Sequence, residues 1–255
     1  MDSVGKQLRL GRLFKDDGRA VVVAMDHGGF MGPARGWEDP TETIAAVVRG
    51  GADAVMTTFG LAQRHYKLLK GKTSLILSTP LSQPEMVNTV RAASSLGADA
   101  LKIFVTMTGG DDSASLLNLW SASIVCAEYG MPLLAEMFPV KGEKIPEPTA
   151  KEVVAKYSRI GAEYGADIIK TFYTGSAESF SEVTKSSIAP VLILGGNKTE
   201  TDLELLSTVD SAMRAGGGGV AIGRNVWQHA DPEKITRSIV KVVHEGYHPE
   251  ESLKS

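Results

Sequence analysis

A single cysteine, Cys126, stands in the 255 residues of this chain. One thiol excludes an internal disulfide framework and fits a reducing cytosol. Within the helical-looking run from Ala122 to Glu128 it reads as a small buried apolar residue. Histidine is also sparse: His65, His229, His244 and His248 show no metal-ligand spacing, which argues against zinc chemistry. No apolar run approaches the roughly 18 residues of a membrane span, and Met1-Asp2-Ser3-Val4-Gly5-Lys6 lacks a signal-peptide pattern. A cytoplasmic location is expected. The 27 basic and 30 acidic residues are mixed along the chain, for a formal charge of −3. Neither nucleic acid nor an anionic membrane is indicated as a partner. No linker or charge run marks a boundary, so residues 1–255 read as one domain.

What the chain does have is a glycine rhythm. Gly51-Ala52-Asp53-Ala54-Val55-Met56, Gly97-Ala98-Asp99-Ala100-Leu101-Lys102 and Gly165-Ala166-Asp167-Ile168-Ile169-Lys170 repeat one pattern, with a looser copy at Gly216–Gly223. Each follows a helical stretch: Thr41–Arg49, Pro84–Ser95, Lys151–Tyr164 and Asp202–Ala215. Glycine takes the left-handed position after the last helical turn, and the chain re-enters a sheet. Further strand-length apolar runs occupy Ala20–Met25, Ser74–Ser78, Pro132–Ala135 and Pro190–Leu194. Eight strands alternating with helices favour a closed (β/α)8 TIM barrel over an open sheet with edges. Leu8, Leu10, Leu13 and Phe14, set among charges, predict a short N-terminal helix covering the barrel bottom.

The active site of such a barrel lies at the C-terminal strand ends. Strand 1 ends in Asp26-His27, strand 4 carries Lys102, strand 5 ends in Glu136, and strand 6 delivers Lys170. Two acids and two lysines aimed at one small volume either pair or react. A lysine at a strand end is a phosphate partner or an amine nucleophile that forms a Schiff base; a purely structural network of two ion pairs is the competing reading. Strand 7 runs into Gly195-Gly196 and strand 8 into Gly223-Arg224. Loops after strands 7 and 8 are the usual phosphate site of the fold, and Arg224 adds a bidentate donor. Pyridoxal phosphate would also suit a lysine beside a phosphate cup. Phe30, Met31, Phe59 and Met137 read as pocket wall or core, Trp227 as packing the first turn of the last helix, and His248–Ser255 as a solvated or interface tail.

Met25-Asp26-His27-Gly28, Ile169-Lys170-Thr171 with Tyr173-Thr174-Gly175, Leu194-Gly195-Gly196, and Gly223-Arg224-Asn225 with Gln228 occur in one order. The combination resembles the archaeal-type class I fructose-bisphosphate aldolases and their relatives, the aminodideoxyheptulosonate synthases and the thiolase that processes phosphorylated autoinducer-2. The resemblance implies a TIM barrel, no metal or other cofactor, and a Schiff base on Lys170. It also implies an Asp26 that handles substrate hydroxyls and a phosphate held at Gly195, Gly196, Gly223 and Arg224; His27, beside Asp26, is expected from its position to hydrogen-bond the substrate. The expected activity is reversible cleavage of a phosphorylated ketose, such as fructose 1,6-bisphosphate or fructose 1-phosphate, to dihydroxyacetone phosphate and an aldehyde. The alternative is a transferase or thiolase using the same imine, and loss of catalysis is a further possibility. A homo-oligomer, as large as a decamer, is implied as well.

One departure matters. Family aldolases carry a tyrosine acid/base in a Tyr-Pro-Arg-Gly context, where this chain has Phe138-Pro139-Val140-Lys141-Gly142. A phenyl ring carries no proton. Glu136, two residues earlier, shares the strand face, and the set Asp26, Lys102, Glu136 and Lys170 is similar to that of the animal-type class I aldolases. Glu136 is therefore the expected acid/base. Lys102 is its expected electrostatic partner and a cation that disfavours charge on Lys170.

Overall fold

The computed structural model describes residues 3–34, 36–79 and 85–254; Pro84 and Ser255, included in the expected helix and tail, lie outside them. Helix α1 (Val4–Leu13) precedes β1 (Ala20–Met25), the short α2 (Gly28–Met31), α3 (Pro40–Arg49), β2 (Ala54–Thr57) and α4 (Phe59–Leu69). Then come β3 (Ser74–Ser78), α5 (Met86–Ser95), β4 (Ala100–Met107), α6 (Ser113–Glu128), β5 (Leu133–Pro139) and α7 (Lys151–Glu163). The chain continues through β6 (Ile168–Thr171), α8 (Ala177–Ser186), β7 (Val191–Leu194), α9 (Asp202–Arg214), β8 (Gly219–Ile222) and α10 (Arg224–Trp227). It ends with α11 (Pro232–Val240), a π turn (Lys241–Glu245) and α12 (Pro249–Ser252). All strands pair in parallel with their sequence neighbours, and β8 closes on β1. This is the expected (β/α)8 barrel. None of the described helices is long and apolar enough to cross a membrane.

The glycines of the repeat do what their position requires. Gly51, Gly97, Gly165 and Gly216 all have positive φ, at 91°, 73°, 96° and 84°, a region open to glycine at little cost. The aspartates have a role that the pattern alone did not reveal. Asp53, Asp99 and Asp167 accept the backbone N–H of Val21, Leu75 and Leu133, each at the start of the preceding strand. Each is also paired with a cation: Asp53 with Lys15 and His244, Asp99 with Arg12, Asp167 with Lys6. The barrel bottom is thus stitched strand to strand, and α1 is tied on through Lys6 and Arg12.

Alternation of side chains splits the core in two. Outward residues of the strands pack under the helices. Inward ones (Ala20, Val22, Ala24, Met56, Ile76, Leu134, Ile168, Leu192) fill the barrel, with Leu13 buried against them and Leu10 and Phe14 packed at the edge. Leu8 faces solvent at 60 % exposure, because it lies off the stripe that Leu10 and Leu13 share. Strands β4 and β5 run further than the apolar runs suggested, since charged Lys102 and Glu136 interrupt hydrophobicity without interrupting pairing; the two strands stay in register from Leu101↔Leu133 to Met107↔Pro139. Trp227 sits on α10, not on the last helix, buried against His27 and Trp37. The tail folds back: Pro249 and Ser252 are buried, and Ser252 O accepts the Ser238 hydroxyl. Met137 is core, Phe30 and Met31 line the mouth, and Phe59 is exposed.

Candidate active site

Strand register assembles the charged residues. Ser78 pairs with Lys102 across β3–β4, and Glu136 with Lys170 across β5–β6. All share the inward parity of Ile76, Leu134 and Ile168, so they form the next storey above the apolar barrel filling. Asp26 follows the end of β1. Lys170 Nζ lies 2.7 Å from Glu136 Oε1, and Lys102 Nζ lies 2.7 Å from Glu136 Oε2. Lys102 Nζ also donates to Asp26 Oδ2 at 3.2 Å, which accepts the Ser78 hydroxyl at 2.7 Å. The side chains of Asp26, Lys102, Glu136 and Lys170 are only 4–10 % exposed. The result is one chain of contacts: Ser78, Asp26, Lys102, Glu136, Lys170.

Two acidic and two basic side chains are matched in number and in contact, which is why such a buried set is tolerated. Burial opposes ionisation of Glu136, but Lys170 and Lys102 outweigh it and hold the carboxyl below its ordinary range. Asp26 behaves alike: burial pushes it up, while His27, Lys102, Lys170 and Ser78 bring it well below the usual carboxylate range. Lys102 is pushed down by burial and up, more strongly, by Glu136 and Asp26, so it stays an ammonium. The sequence suggested that Lys102 would act on Lys170 as a neighbouring cation. Instead Glu136 stands between them and touches both.

His27 adjoins this network. Its Nδ1 lies 3.4 Å from Asp26 Oδ1, too long and poorly aligned for a full hydrogen bond, and makes no other polar contact. Cys126 lies on the buried face of α6, outside the site, and its thiol is pushed up to about 12, chiefly by burial. Such a thiol is inert.

Above the charges lies a cleft of about 550 Å³, lined on one side by Leu194, Gly195, Gly196, Gly223 and Arg224. Here the glycines answer to geometry. Gly196 has φ +58°; a Cβ on Gly195 would meet Ile222 at 2.8 Å, and one on Gly223 would meet His27 at 2.7 Å. Arg224 donates to Gly196 O at 2.8 Å, tying the two loops together. Asn225, buried, is the clamp that sequence reasoning left without a role. It donates to Gly195 O and Asn197 O and accepts from Thr199 N–H. Phe104, Phe138 and Phe172 line the other side, with ring centroids 5.2 and 5.0 Å apart in succession. Each stands two residues after Lys102, Glu136 or Lys170, a spacing visible in the sequence and not exploited there. Ser78 was missed too; its only signal was the inward parity of β3.

Residues 20–229 match the model of the DeoC/LacD family aldolases. An uncharacterised aldolase of Saccharolobus solfataricus is 36 % identical, covering 98 % of both chains. The 2-amino-3,7-dideoxy-D-threo-hept-6-ulosonate synthase of Halobacterium salinarum is 34 % identical over 99 % of this chain and 97 % of its own. Among solved structures, a Schiff-base-forming fructose-1,6-bisphosphate aldolase superposes with a TM-score of 0.82 at 30 % identity, covering 94 % of this chain and all of that one. A family match over most of the length, carried on the same barrel, makes this chain a member of the DeoC/LacD aldolase family.

Proposed function

We propose that this protein is a metal-independent aldolase that makes and breaks a carbon–carbon bond of a phosphorylated ketose through an imine on Lys170. The observation that carries the reading is the pairing of Lys170 Nζ with Glu136 Oε1 at 2.7 Å on the floor of a cleft whose rim holds Gly195, Gly196 and Arg224. The Schiff-base chemistry named for the similar solved structure supports it.

Lys170 passes a proton to Glu136, 2.7 Å away, and adds to the ketone carbonyl as the free amine; Glu136 returns that proton to the departing hydroxyl, and loss of water leaves an iminium beside the carboxylate. Glu136, ionised at rest, accepts the proton of the hydroxyl on the carbon being released. The carbon–carbon bond breaks, its electron pair neutralises the iminium as an enamine, and an aldehyde departs. Here the electrostatics of the pair become useful. The positive charge at Lys170 is the largest influence lowering Glu136. When the iminium becomes a neutral enamine that influence disappears, and Glu136 becomes more basic at the moment it must hold a proton. It then returns the proton to the enamine carbon, and water releases the product. Lys102 remains charged throughout and orients Glu136 and Asp26. A transferase using the same imine is the second reading, favoured by Phe138 and by the similarity to the synthase.

Borohydride with dihydroxyacetone phosphate is expected to add the reduced three-carbon fragment to the peptide containing Lys170, read by mass spectrometry. An adduct on Lys102, or none, would overturn the assignment.

A further inference from the structure

The cleft has two unlike ends. At the β7–β8 end lie the glycine turns and Arg224. Away from them Phe104 on β4 and Phe138 on β5, with Phe172 just after β6, form a continuous apolar wall. In an eight-stranded closed barrel β1 lies opposite β5, and the segment after β1 supplies Phe30 and Met31 to the same cleft. These two side chains are 53 % and 50 % exposed, a large apolar exposure at a cleft mouth. Among the described residues lining the cleft, Lys170 and Arg224 are the only lysine or arginine. Lys170 is engaged with Glu136 below. Among the described lining residues one phosphate therefore has an arginine partner, and a second has no lysine or arginine to meet it. A hydroxyl pressed against a phenyl ring loses its hydrogen bond to water without replacement.

We infer that the substrate carries a single phosphate, at the β7–β8 end, and an apolar segment along the phenylalanine wall. The aldehyde released or accepted is accordingly unphosphorylated and aliphatic or aromatic. Phe138 is the central specificity residue, since its ring touches both neighbours in the wall. This rests on the aldolase reading for its chemistry, but the recognition itself is testable by binding alone.

The experiment is calorimetric titration of the full chain with alkyl phosphates from propyl to hexyl. Affinity is expected to rise about fourfold per added methylene until the wall is covered. Hexane-1,6-diyl bisphosphate is expected to bind at least about tenfold more weakly than hexyl phosphate, because its second charge must enter an apolar wall. Phe138→Ser should flatten the series, whereas Arg224→Ala should weaken all members alike and leave the slope. A flat series in the wild-type protein, or a bisphosphate that binds as tightly as the monophosphate, would overturn the inference. The slope is read on the unaltered protein, so a variant that fails to fold does not remove the test. Borohydride trapping at Lys170 reports separately on the aldolase chemistry.

Discussion

Lys102 holds together more of the site than any other residue, and its removal has consequences that can be worked through. Its ammonium lies 2.7 Å from Glu136 and 3.2 Å from Asp26, with the side chain 4 % exposed. Lys102→Met keeps the stem and deletes the charge. Glu136 then keeps Lys170, whereas Asp26 keeps the Ser78 hydroxyl and the 3.4 Å contact of His27. Removing one partner of a buried ion pair typically costs about 3–5 kcal/mol. For a chain of this size each kcal/mol lowers Tm by about 2 °C, so the expected loss is about 6–10 °C near neutral pH.

The pH dependence provides a sharper test. In the wild type both carboxyls are depressed, so their contribution is complete above the unfolded carboxyl pKa of about 4 and is lost only as the pH falls through the lower folded values. In the variant, burial, the largest influence on both groups, meets one cation fewer, and the carboxyl pair rises. A raised acid destabilises at high pH and relaxes when it binds a proton. The Tm gap between wild type and Lys102→Met should therefore be widest at pH 8 and narrow towards pH 5. Scanning fluorimetry across that range measures it. A variant as stable as wild type at pH 8, or a gap that widens on acidification, would refute the account of the network.

Three further outcomes are expected. Glu136→Gln preserves borohydride trapping at Lys170, while turnover of the phosphorylated ketose falls about 100-fold or more; normal turnover would place the proton on Asp26, His27 or water. His244, 2.8 Å from both Asp17 and Asp53, is lowered by burial but raised more by those two acids. Its stabilisation is complete below about pH 6.5 and disappears as the pH rises through the elevated folded value, so the Tm advantage over His244→Gln should shrink on going from pH 6 to pH 9. Leu13→Ala opens the barrel floor where Leu13 is 1 % exposed, and denaturant unfolding should show a loss of about 2–5 kcal/mol.

The barrel was legible because its signal is local. Each Gly-Ala-Asp marks a helix stop and a strand start, and the positive φ of Gly51, Gly97 and Gly165 is a demand of the turn itself. The charged residues were legible for the same reason: an ionisable group inside an apolar strand has few places to go. Contacts between distant residues were not. Nothing near Asp99 in the sequence announces Leu75 N–H or Arg12, and nothing near Asn225 announces Gly195 O. Those bonds depend on which strands become neighbours. The order of charges was also hidden, since four ionisable residues can pair in several ways and only strand stagger sets Glu136 between the lysines.

The departure at Phe138 takes on a different meaning once the strand period is followed upward. On β4, on β5 and along β6 to the residue just past its end, the alternate positions read lysine then phenylalanine, glutamate then phenylalanine, lysine then phenylalanine. Because inward residues recur every second position, the three charges form one storey and the three rings the next. A tyrosine in place of Phe138 would put a hydroxyl in the middle of that upper storey, where it could transfer a proton and also solvate a sugar. Phenylalanine gives up both capacities together. On the proposed mechanism the proton passes instead to Glu136, one storey down and already in contact with Lys170. The upper storey is left to bind whatever tolerates three phenyl rings. The proposed mechanism and the inferred substrate are thus coupled through a single side chain. Phe138→Tyr tests that coupling: it should improve turnover of hydroxylated acceptors while lowering the affinity of alkyl phosphates, and a change in only one of the two would separate what the strand period joins.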